Sequence, residues 1–314
     1  MNSRTRHDRY MGLIAAIFAS WSLTLLLGCT SLDSTAQLNN QGLRYWDEGR
    51  YDQAERTLTL ALQQAQQNLG PSHFNVGITL VNLGLVYTDE GKYAEAVEVY
   101  QRADPLIKNY FGSDAPTYAQ FLNNYGYAYL RYGKYTQARE KIEQSLSIYD
   151  AAGESPAETA NVTNGLSMTY LGAGDLTKAE TVATSALNSV SNDESKWGYR
   201  GPILQNLGNI YIQQGRYDKA EEAYTKVLER REMQLGTSHP ETGRTVAALA
   251  VLYVKEGKNE KADAYFRRAL DIFERRLPPD HPDTVQLIRE YSDFLKSMGR
   301  NDEAPKLEQR NQVQ

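Results

Sequence analysis

The stretch NLGLVYTDEGKYAEA, residues 82–96, contains the pattern that decides the fold of this chain. An apolar run with a small residue, Gly84, ends at Gly91, and a second run containing Ala96 begins directly after it. Glycine is favoured where a helix ends in a left-handed conformation, and a small side chain lets two helix backbones approach closely. The stretch therefore predicts two antiparallel helices joined by a tight turn at Gly91.

The same pattern recurs along the chain at intervals of 41 or 42 residues. The glycines that end the first helix of each pair are Gly49, Gly91, Gly133, Gly174, Gly215, Gly257 and Gly299. Seven residues before them stand the small residues Gly42, Gly84, Gly126, Ser167, Gly208, Ala250 and Ser292. Tyrosine stands four residues before six of the glycines, and alanine stands five residues after each of them. A nearly fixed period of roughly 20 to 50 residues indicates a solenoid of stacked units.

These columns look like tetratricopeptide repeats. The segments LGTSHPET at 235–242 and DHPDT at 280–284, between units of 42 rather than 34 residues, resemble the kinesin-light-chain subfamily. The resemblance implies an all-α, right-handed superhelical solenoid of about seven helix pairs over residues 38–314, with a degenerate cap as the last repeat. It also implies that the first helix of each pair lines a concave groove.

Residues 1–28 have the organisation of a secretory signal peptide. Three arginines at positions 4 to 9 precede an apolar segment over 11–27, and LLGC at 26–29 resembles a bacterial lipobox. That resemblance implies cleavage before Cys29 and lipidation of its thiol, with residues 29–37 as a lipidated cysteine and short linker. Thr30 rather than Asp follows the cysteine, which resembles the outer-membrane sorting pattern of bacterial lipoproteins and implies an outer-membrane protein facing the periplasm. A short transmembrane anchor is the alternative, since about 17 residues is the shortest apolar segment that spans a bilayer.

Charge and motif content argue against several classes of function. The net charge is −5 and the basic residues are interspersed with acidic ones, which disfavours a nucleic-acid partner. Cys29 is the only cysteine, so no internal disulfide or cysteine-based zinc site exists. His73, His239 and His281 each stand 24 residues after a repeat glycine, which favours a role at helix boundaries over metal binding. Without a catalytic or phosphate-binding motif, we predict no enzyme activity and no cofactor.

Amide side chains recur on the predicted first helices. Two residues before the small column stand Asn40, Asn82, Asn124 and Asn206, and adjacent positions add Asn123 and Asn164. Larger side chains one or four residues after that column are Tyr127, Trp46, Leu130 and Ile212. Asparagine is a mediocre helix former, so its repetition requires a reason. A carboxamide donates and accepts, and can hold the backbone of an extended peptide, which looks like the asparagine ladder of peptide-binding tetratricopeptide arrays. The alternative is that the amides brace neighbouring helices.

We therefore predict a membrane-anchored scaffold that binds a protein or an extended peptide in its groove and helps to assemble or regulate an envelope complex. One alternative is a structural assembly factor, of the type that serves pilus secretins or outer-membrane machines, acting through its convex face or its ends. Another is an adaptor for a cell-wall enzyme. Each follows from the fold by analogy, because one fold serves many functions.

Overall fold

A computed structural model describes residues 29–190, 196–279 and 281–309, all of them helical or in the connections between helices. The predicted signal segment, residues 1–28, lies outside this range. The helices are α1 Cys29–Asp47, α2 Tyr51–Leu69, α3 Phe74–Glu90, α4 Tyr93–Phe111, α5 Pro116–Arg131, α6 Tyr135–Ala152, α7 Pro156–Gly172, α8 Leu176–Ser189, α9 Trp197–Gln213, α10 Tyr217–Leu235, α11 Pro240–Lys255, α12 Asn259–Arg276, α13 Pro282–Ser297 and α14 Ala304–Gln309.

The helices pack as sequential pairs in two compact units that divide between Tyr199 and Arg200. Unit 1 contains the pairs from α1–α2 to α7–α8, and unit 2 contains the pairs from α9–α10 to α13–α14. First helices of successive pairs are also in contact: α1 with α3, α3 with α5, and α11 with α13. The all-α fold and the number of helix pairs are therefore as predicted. Among the residues that the structure describes, no helix is both long and apolar enough to cross a membrane.

Each unit has its own hydrophobic core. In unit 1 it includes Trp46, Tyr100 and Phe121, and in unit 2 it includes Phe266 and Phe273. A large apolar side chain that is fully buried stabilises a fold by about 1.5–3 kcal/mol. Because the core residues come from both helices of a pair and from the next pair, each repeat depends on its neighbours for burial.

The small residues lie where the two helices of a pair cross, as the sequence predicts. A Cβ atom on Gly84 would lie 2.6 Å from the ring of Tyr100, and one on Gly208 would lie 2.4 Å from the ring of Tyr224. Ser167 occupies the same position in the fourth pair, where its hydroxyl donates to the Ala179 carbonyl at 2.7 Å. A larger side chain at these positions would separate the helices.

The turns within and between pairs also follow the predicted residues. The repeat glycines all have positive φ, and Gly91, at 90°, ends α3 in the left-handed conformation expected there. His73, His239 and His281 each precede a first helix and accept a backbone N–H through Nδ1, at 3.1–3.2 Å. Each histidine thus satisfies one of the amides that a helix start leaves without a partner. The predicted role at helix boundaries is confirmed.

The segment predicted to be a linker, residues 29–37, is helical in the structure. It continues into the first repeat, because α1 begins at Cys29. Thr35 is buried, and its carbonyl accepts a hydrogen bond from Asn39 Nδ2 at 3.1 Å. Because Thr35 is buried within α1, packing begins before residue 38, where the sequence pattern places the first repeat.

Candidate functional site

The amides of the first two repeats bind each other across neighbouring first helices. Asn82 Nδ2 on α3 donates to Asn39 Oδ1 on α1 at 2.8 Å. Asn39 Nδ2 in turn donates to Thr79 Oγ1 at 3.0 Å and to the Thr35 carbonyl at 3.1 Å. The hydrogen-bonding capacity of this pair is therefore largely used within the protein, as the bracing alternative requires.

Asn124, one repeat further on, has the same position but a different environment. Its Oδ1 accepts from Gln120 at 3.3 Å, whereas its Nδ2 is buried without a hydrogen-bond partner. In the register of the first pair, the residue opposite Asn124 is Val81, which has no polar side-chain atom. The same register places Gly165 of the next repeat opposite Asn123, and a Cβ on Gly165 would lie 3.7 Å from Asn123 Oδ1. In the first three repeats of the described chain, an amide bridge therefore joins Asn82 to Asn39, and Asn124 has no equivalent partner.

The predicted amides divide between buried and accessible positions. Asn82 is 4% exposed, Asn124 3% and Asn206 3%, and Asn164 is also buried. Asn40 and Asn123 are half-buried, as are Asn39 and Gln205, which stand three residues before the small column. One residue turns a helix by about 100°, so that adjacent positions face different surroundings. The structure therefore places most of the accessible amides one residue earlier than the predicted ladder.

The larger predicted residues of unit 1 also differ in accessibility. Trp46 is 1% exposed and belongs to the core, with its Nε1 donating to Asp89 Oδ2 at 3.0 Å. Leu130 is buried as well, whereas Tyr127 is half-buried. Arg131 lies beside Tyr127, 5.9 Å from the centre of its ring, and donates to the Tyr93 hydroxyl at 2.8 Å. Of the three predicted residues Trp46, Tyr127 and Leu130, only Tyr127 offers substantial surface to a partner.

Unit 2 contains a pocket of about 320 Å³ formed by three successive first helices, α9, α11 and α13. Its lining includes Ile212, which the sequence predicts, and Tyr224 and Phe273 from the second helices. The remaining lining residues are Gln205, Asn209, Arg244, Ala247, Ala248, Val251, Asp283, Gln286, Leu287 and Glu290. Asn206 is absent from this lining. Ligand pockets have volumes of roughly 300–1,000 Å³, so this pocket is at the lower end of the range.

Two amides present N–H groups to the pocket. Asn209 Oδ1 accepts from the Tyr224 hydroxyl at 2.6 Å, and burial raises the pKa of Tyr224, which keeps it a donor. Gln205 Oε1 accepts from Arg231 at 3.3 Å. Because both amide oxygens are bound to the protein, the polar atoms that remain are the donors Asn209 Nδ2 and Gln205 Nε2. Donors at these places can bind carbonyl oxygens of a partner.

One side of the pocket contains a network of ion pairs that the repeat pattern does not predict. Arg244 Nε donates to Asp283 Oδ2 at 2.6 Å, and the same guanidinium pairs with Glu241. Glu241 also pairs with the buried Arg231 at 3.0 Å. Arg244 and Gln286 both stand six residues before the small residue of their repeat. A search of the first helices one turn further toward their N-termini would therefore have found this part of the lining. The contribution of Arg231, from a second helix, has no such signal.

The histidines provide no metal site in the part of the chain that the structure describes. No group of three or more His, Cys, Asp or Glu side chains there is placed to hold a metal ion. Burial lowers the pKa of His239, which favours the neutral ring that accepts the Glu241 amide. The chemistry available on the first helices is thus hydrogen bonding, apolar contact and charge pairing.

Stacked helix hairpins with a polar and apolar face on their first helices define a helical repeat protein. The sequence model of the tetratricopeptide repeat matches residues 34–103, 79–151, 117–191 and 200–275. The chain belongs to the tetratricopeptide repeat family, whose members are in general scaffolds for protein–protein binding. No curated protein gives a significant match.

Solved structures resemble this chain at low sequence identity, and the first two of the three described next share its fold. A Rap protein complexed with Competence and Sporulation Factor has a TM-score of 0.67 at 14% identity, over 98% of this chain and 82% of that one. A tetratricopeptide repeat protein from Parabacteroides merdae has a TM-score of 0.56 at 18% identity, over 89% of this chain and 93% of that one. TPR-like repeats described as kinesin light chain, from Podosopora anserina, have a TM-score of 0.49 at 20% identity, over 65% and 96%.

Proposed function

We propose that this chain is a membrane-anchored scaffold that holds a segment of a protein partner on its first helices. The observation that carries the proposal is the pocket of unit 2, where three successive first helices combine an apolar floor with amide donors. A concave, mainly apolar site with a few placed polar groups is the usual form of a binding site. In unit 1, Asn123 and Tyr127 give the first helices a similar mixed surface.

An extended protein segment has the chemistry that this pocket would bind. Its backbone carbonyls accept from amide donors such as Asn209 Nδ2 and Gln205 Nε2, regardless of sequence. One of its side chains can fill the space above Tyr224 and Phe273, where an anchor residue would lose most of its contact with water. The Rap structure, in complex with Competence and Sporulation Factor, is an instance of this fold holding another molecule.

The anchoring part of the proposal is supported by the sequence. The segment before Cys29 has the order of a lipoprotein signal, and two or three acyl chains hold a protein stably at a membrane, since each buried methylene contributes about 0.8 kcal/mol. With the signal removed and Cys29 lipidated, the repeats would lie at the outer membrane, facing the periplasm. There the scaffold would serve in the assembly or regulation of an envelope complex.

The second-helix surface gives less support to the alternative of an assembly factor that acts through its convex face. Leu60, Tyr110 and Met233 are exposed on second helices, but they lie on three different helices, α2, α4 and α10. Single exposed apolar residues are normal on protein surfaces. The described second helices therefore give no specific observation in favour of a convex binding face.

Capture of the partner from detergent-solubilised membranes tests whether the pocket on the first helices of unit 2 binds it. We expect Asn209→Ala to weaken capture of the partner by about 2- to 10-fold, because it removes one hydrogen bond of about 0.5–1.5 kcal/mol. Ile212→Asp should weaken capture more strongly, since it places a charge on the apolar floor. Met233→Asp, on the second helix α10 of the same unit, is the matched control and should capture the partner normally.

Thermal melting of each variant separates lost binding from lost folding. If Met233→Asp loses the partner while Asn209→Ala and Ile212→Asp retain it, the second helices form the binding surface and the proposal is wrong. Because Ile212 also packs against the core, Asn209→Ala, at an exposed position, remains informative even if Ile212→Asp unfolds.

A further inference from the structure

Glu290 introduces a charge into the pocket that the rest of the lining does not balance. It lies on α13 at the position of the predicted asparagine ladder, two residues before Ser292. Its Oε1 accepts from Gln286 Nε2 at 2.7 Å, and Gln286 is neutral. Among the described residues, no cationic side chain pairs with Glu290 at ion-pair distance.

The other charges at the pocket form a balanced set. Arg231 and Arg244 are each held by carboxylates, with Glu241 shared between them and Asp283 paired to Arg244. Among the described residues, these two cations and two carboxylates balance each other. The Nδ1 atom of His281 lies 3.7 Å from Asp283, but it accepts the Asp283 backbone amide, as a neutral ring does. The carboxylate of Glu290 is therefore the surplus charge of the pocket.

The pocket that contains Glu290 also has an apolar part. Ala248 and Val251 on α11 and Leu287 on α13 line the same space, together with Ile212 from α9. A lysine or arginine side chain has an aliphatic stem that packs on apolar surface and a cationic end that stays with a charge or with water. Such a side chain matches an apolar wall with a carboxylate at one side.

We infer that the pocket selects a partner segment with a lysine or an arginine next to an apolar residue. The inference rests on the proposed function and specifies the chemistry of the partner. The cation would pair with Glu290, the aliphatic stem would pack on the α11 wall, and the neighbouring apolar side chain would contact Tyr224 and Phe273. An acidic side chain in this place would meet the surplus carboxylate, and both cations of the pocket already have carboxylate partners.

A random heptapeptide display library, selected on the full chain in detergent, tests the inference with peptides of every composition. We expect the wild type to enrich peptides that carry Lys or Arg beside an apolar residue. Synthetic peptides from this group should bind about fivefold more tightly than copies with norleucine in place of the basic residue, a difference typical of a partly exposed ion pair. That preference should shrink as the salt concentration rises.

Two variants locate the charge that is responsible. Glu290→Gln keeps the size of the side chain and should lose the preference for basic peptides while it still binds the norleucine copies. Glu229→Gln removes a carboxylate from an exposed position on the second helix α10 and should behave as the wild type does.

The outcomes separate the inference from the function on which it rests. Enriched peptides without a basic preference, or a preference that survives in Glu290→Gln, would overturn the inference and leave peptide binding intact. Failure to enrich any peptide on the wild type, with a selection that succeeds on a control target, would count against the proposed function itself. A preference lost equally in Glu229→Gln would show that overall charge, and not this pocket, attracts the peptides.

Discussion

Replacing Asn82 with alanine should destabilise the first two repeats, although alanine is the better helix former. The substitution removes the 2.8 Å hydrogen bond to Asn39, which contributes about 0.5–1.5 kcal/mol. It also leaves Asn39 Oδ1 without its donor, a loss that water can partly replace because Asn39 is half-buried. Alanine returns about 0.5 kcal/mol of helix propensity. We expect a net loss of about 1 kcal/mol.

Asn124→Ala is the matched comparison, since the position is the same one repeat later. Its Nδ2 is buried without a partner, which costs about 1–3 kcal/mol in the native protein, and only the 3.3 Å contact with Gln120 is lost. Removing that amide relieves the cost, and helix propensity improves as well. We expect the stability of Asn124→Ala to be unchanged or up to about 1 kcal/mol higher.

Urea denaturation of the full chain, followed by circular dichroism, measures the difference between the two variants. The midpoint should fall for Asn82→Ala and hold or rise for Asn124→Ala, with equal slopes. Equal destabilisation of both variants, or a larger loss for Asn124→Ala, would refute the reasoning, because it would mean that the bridge between α1 and α3 is not what distinguishes the two asparagines.

Three further predictions concern the helix crossings, the pH dependence of stability and the lipid anchor at Cys29. Gly126→Ala should destabilise by about 1–3 kcal/mol in the same assay, since its Cβ would lie 2.7 Å from Ile142 and 3.1 Å from the Ala138 carbonyl oxygen. Gly165→Ala, with its nearest contacts at 3.7 Å, should instead stabilise by about 0.5–1 kcal/mol, and the same sign for both would contradict the packing. Burial acts to raise the pKa of Asp263, but hydrogen bonds from Arg267, Tyr291 and Arg300 lower it below its usual value. The ionised Asp263 therefore stabilises the fold above about pH 4, and this stabilisation is lost as the pH falls further. Asp263→Asn should therefore be less stable than the wild type at pH 7, and this difference in stability, measured from urea midpoints, should narrow at pH 3. A difference that stays constant between the two pH values would contradict the prediction. Cys29→Ala should abolish lipidation and weaken membrane attachment, and mass spectrometry that finds an unmodified Cys29 at the wild-type N-terminus would remove the lipoprotein proposal.

The fold could be predicted from the sequence because the geometry of a helix crossing permits few residues. Gly84 and Gly208 leave room only for an aromatic ring of the second helix, so the residues at these crossings must be small. The turn glycines recur for a similar reason, since a positive φ is costly for other residues. Regular repetition of both constraints makes the repeat visible in a single sequence.

The candidate site could be predicted only in part. Ile212 lines the pocket as expected, but a period of 42 residues does not specify how far each helix is rotated toward its neighbour. Gln205 lines the pocket, whereas Asn206, the next residue on the same helix, is buried. Trp46 illustrates the same limit, because the column that it shares with Ile212 faces the core in the first repeat.

The charge network beside the pocket depends on contacts between elements that are distant in sequence. Arg231 reaches Glu241 from the preceding helix, and Arg244 reaches Asp283 from a different repeat. Scattered charges of both signs normally lie on solvated helix faces, and their spacing gives no indication of which pairs meet. The surplus charge of Glu290 depends on these pairs, so the sequence alone does not indicate it.

Site-specific photo-crosslinking tests the central claim, that the first helices hold a protein segment, most directly. A photoreactive phenylalanine is placed at Asn209, on the pocket face of α9, and in a parallel sample at Met233, on the second helix α10 of the same unit. If this claim is correct, we expect a discrete protein adduct from position 209 that is reduced when Ile212→Asp is present in the same chain, and no such adduct from position 233. An adduct from position 233 alone, unaffected by Ile212→Asp, would contradict it.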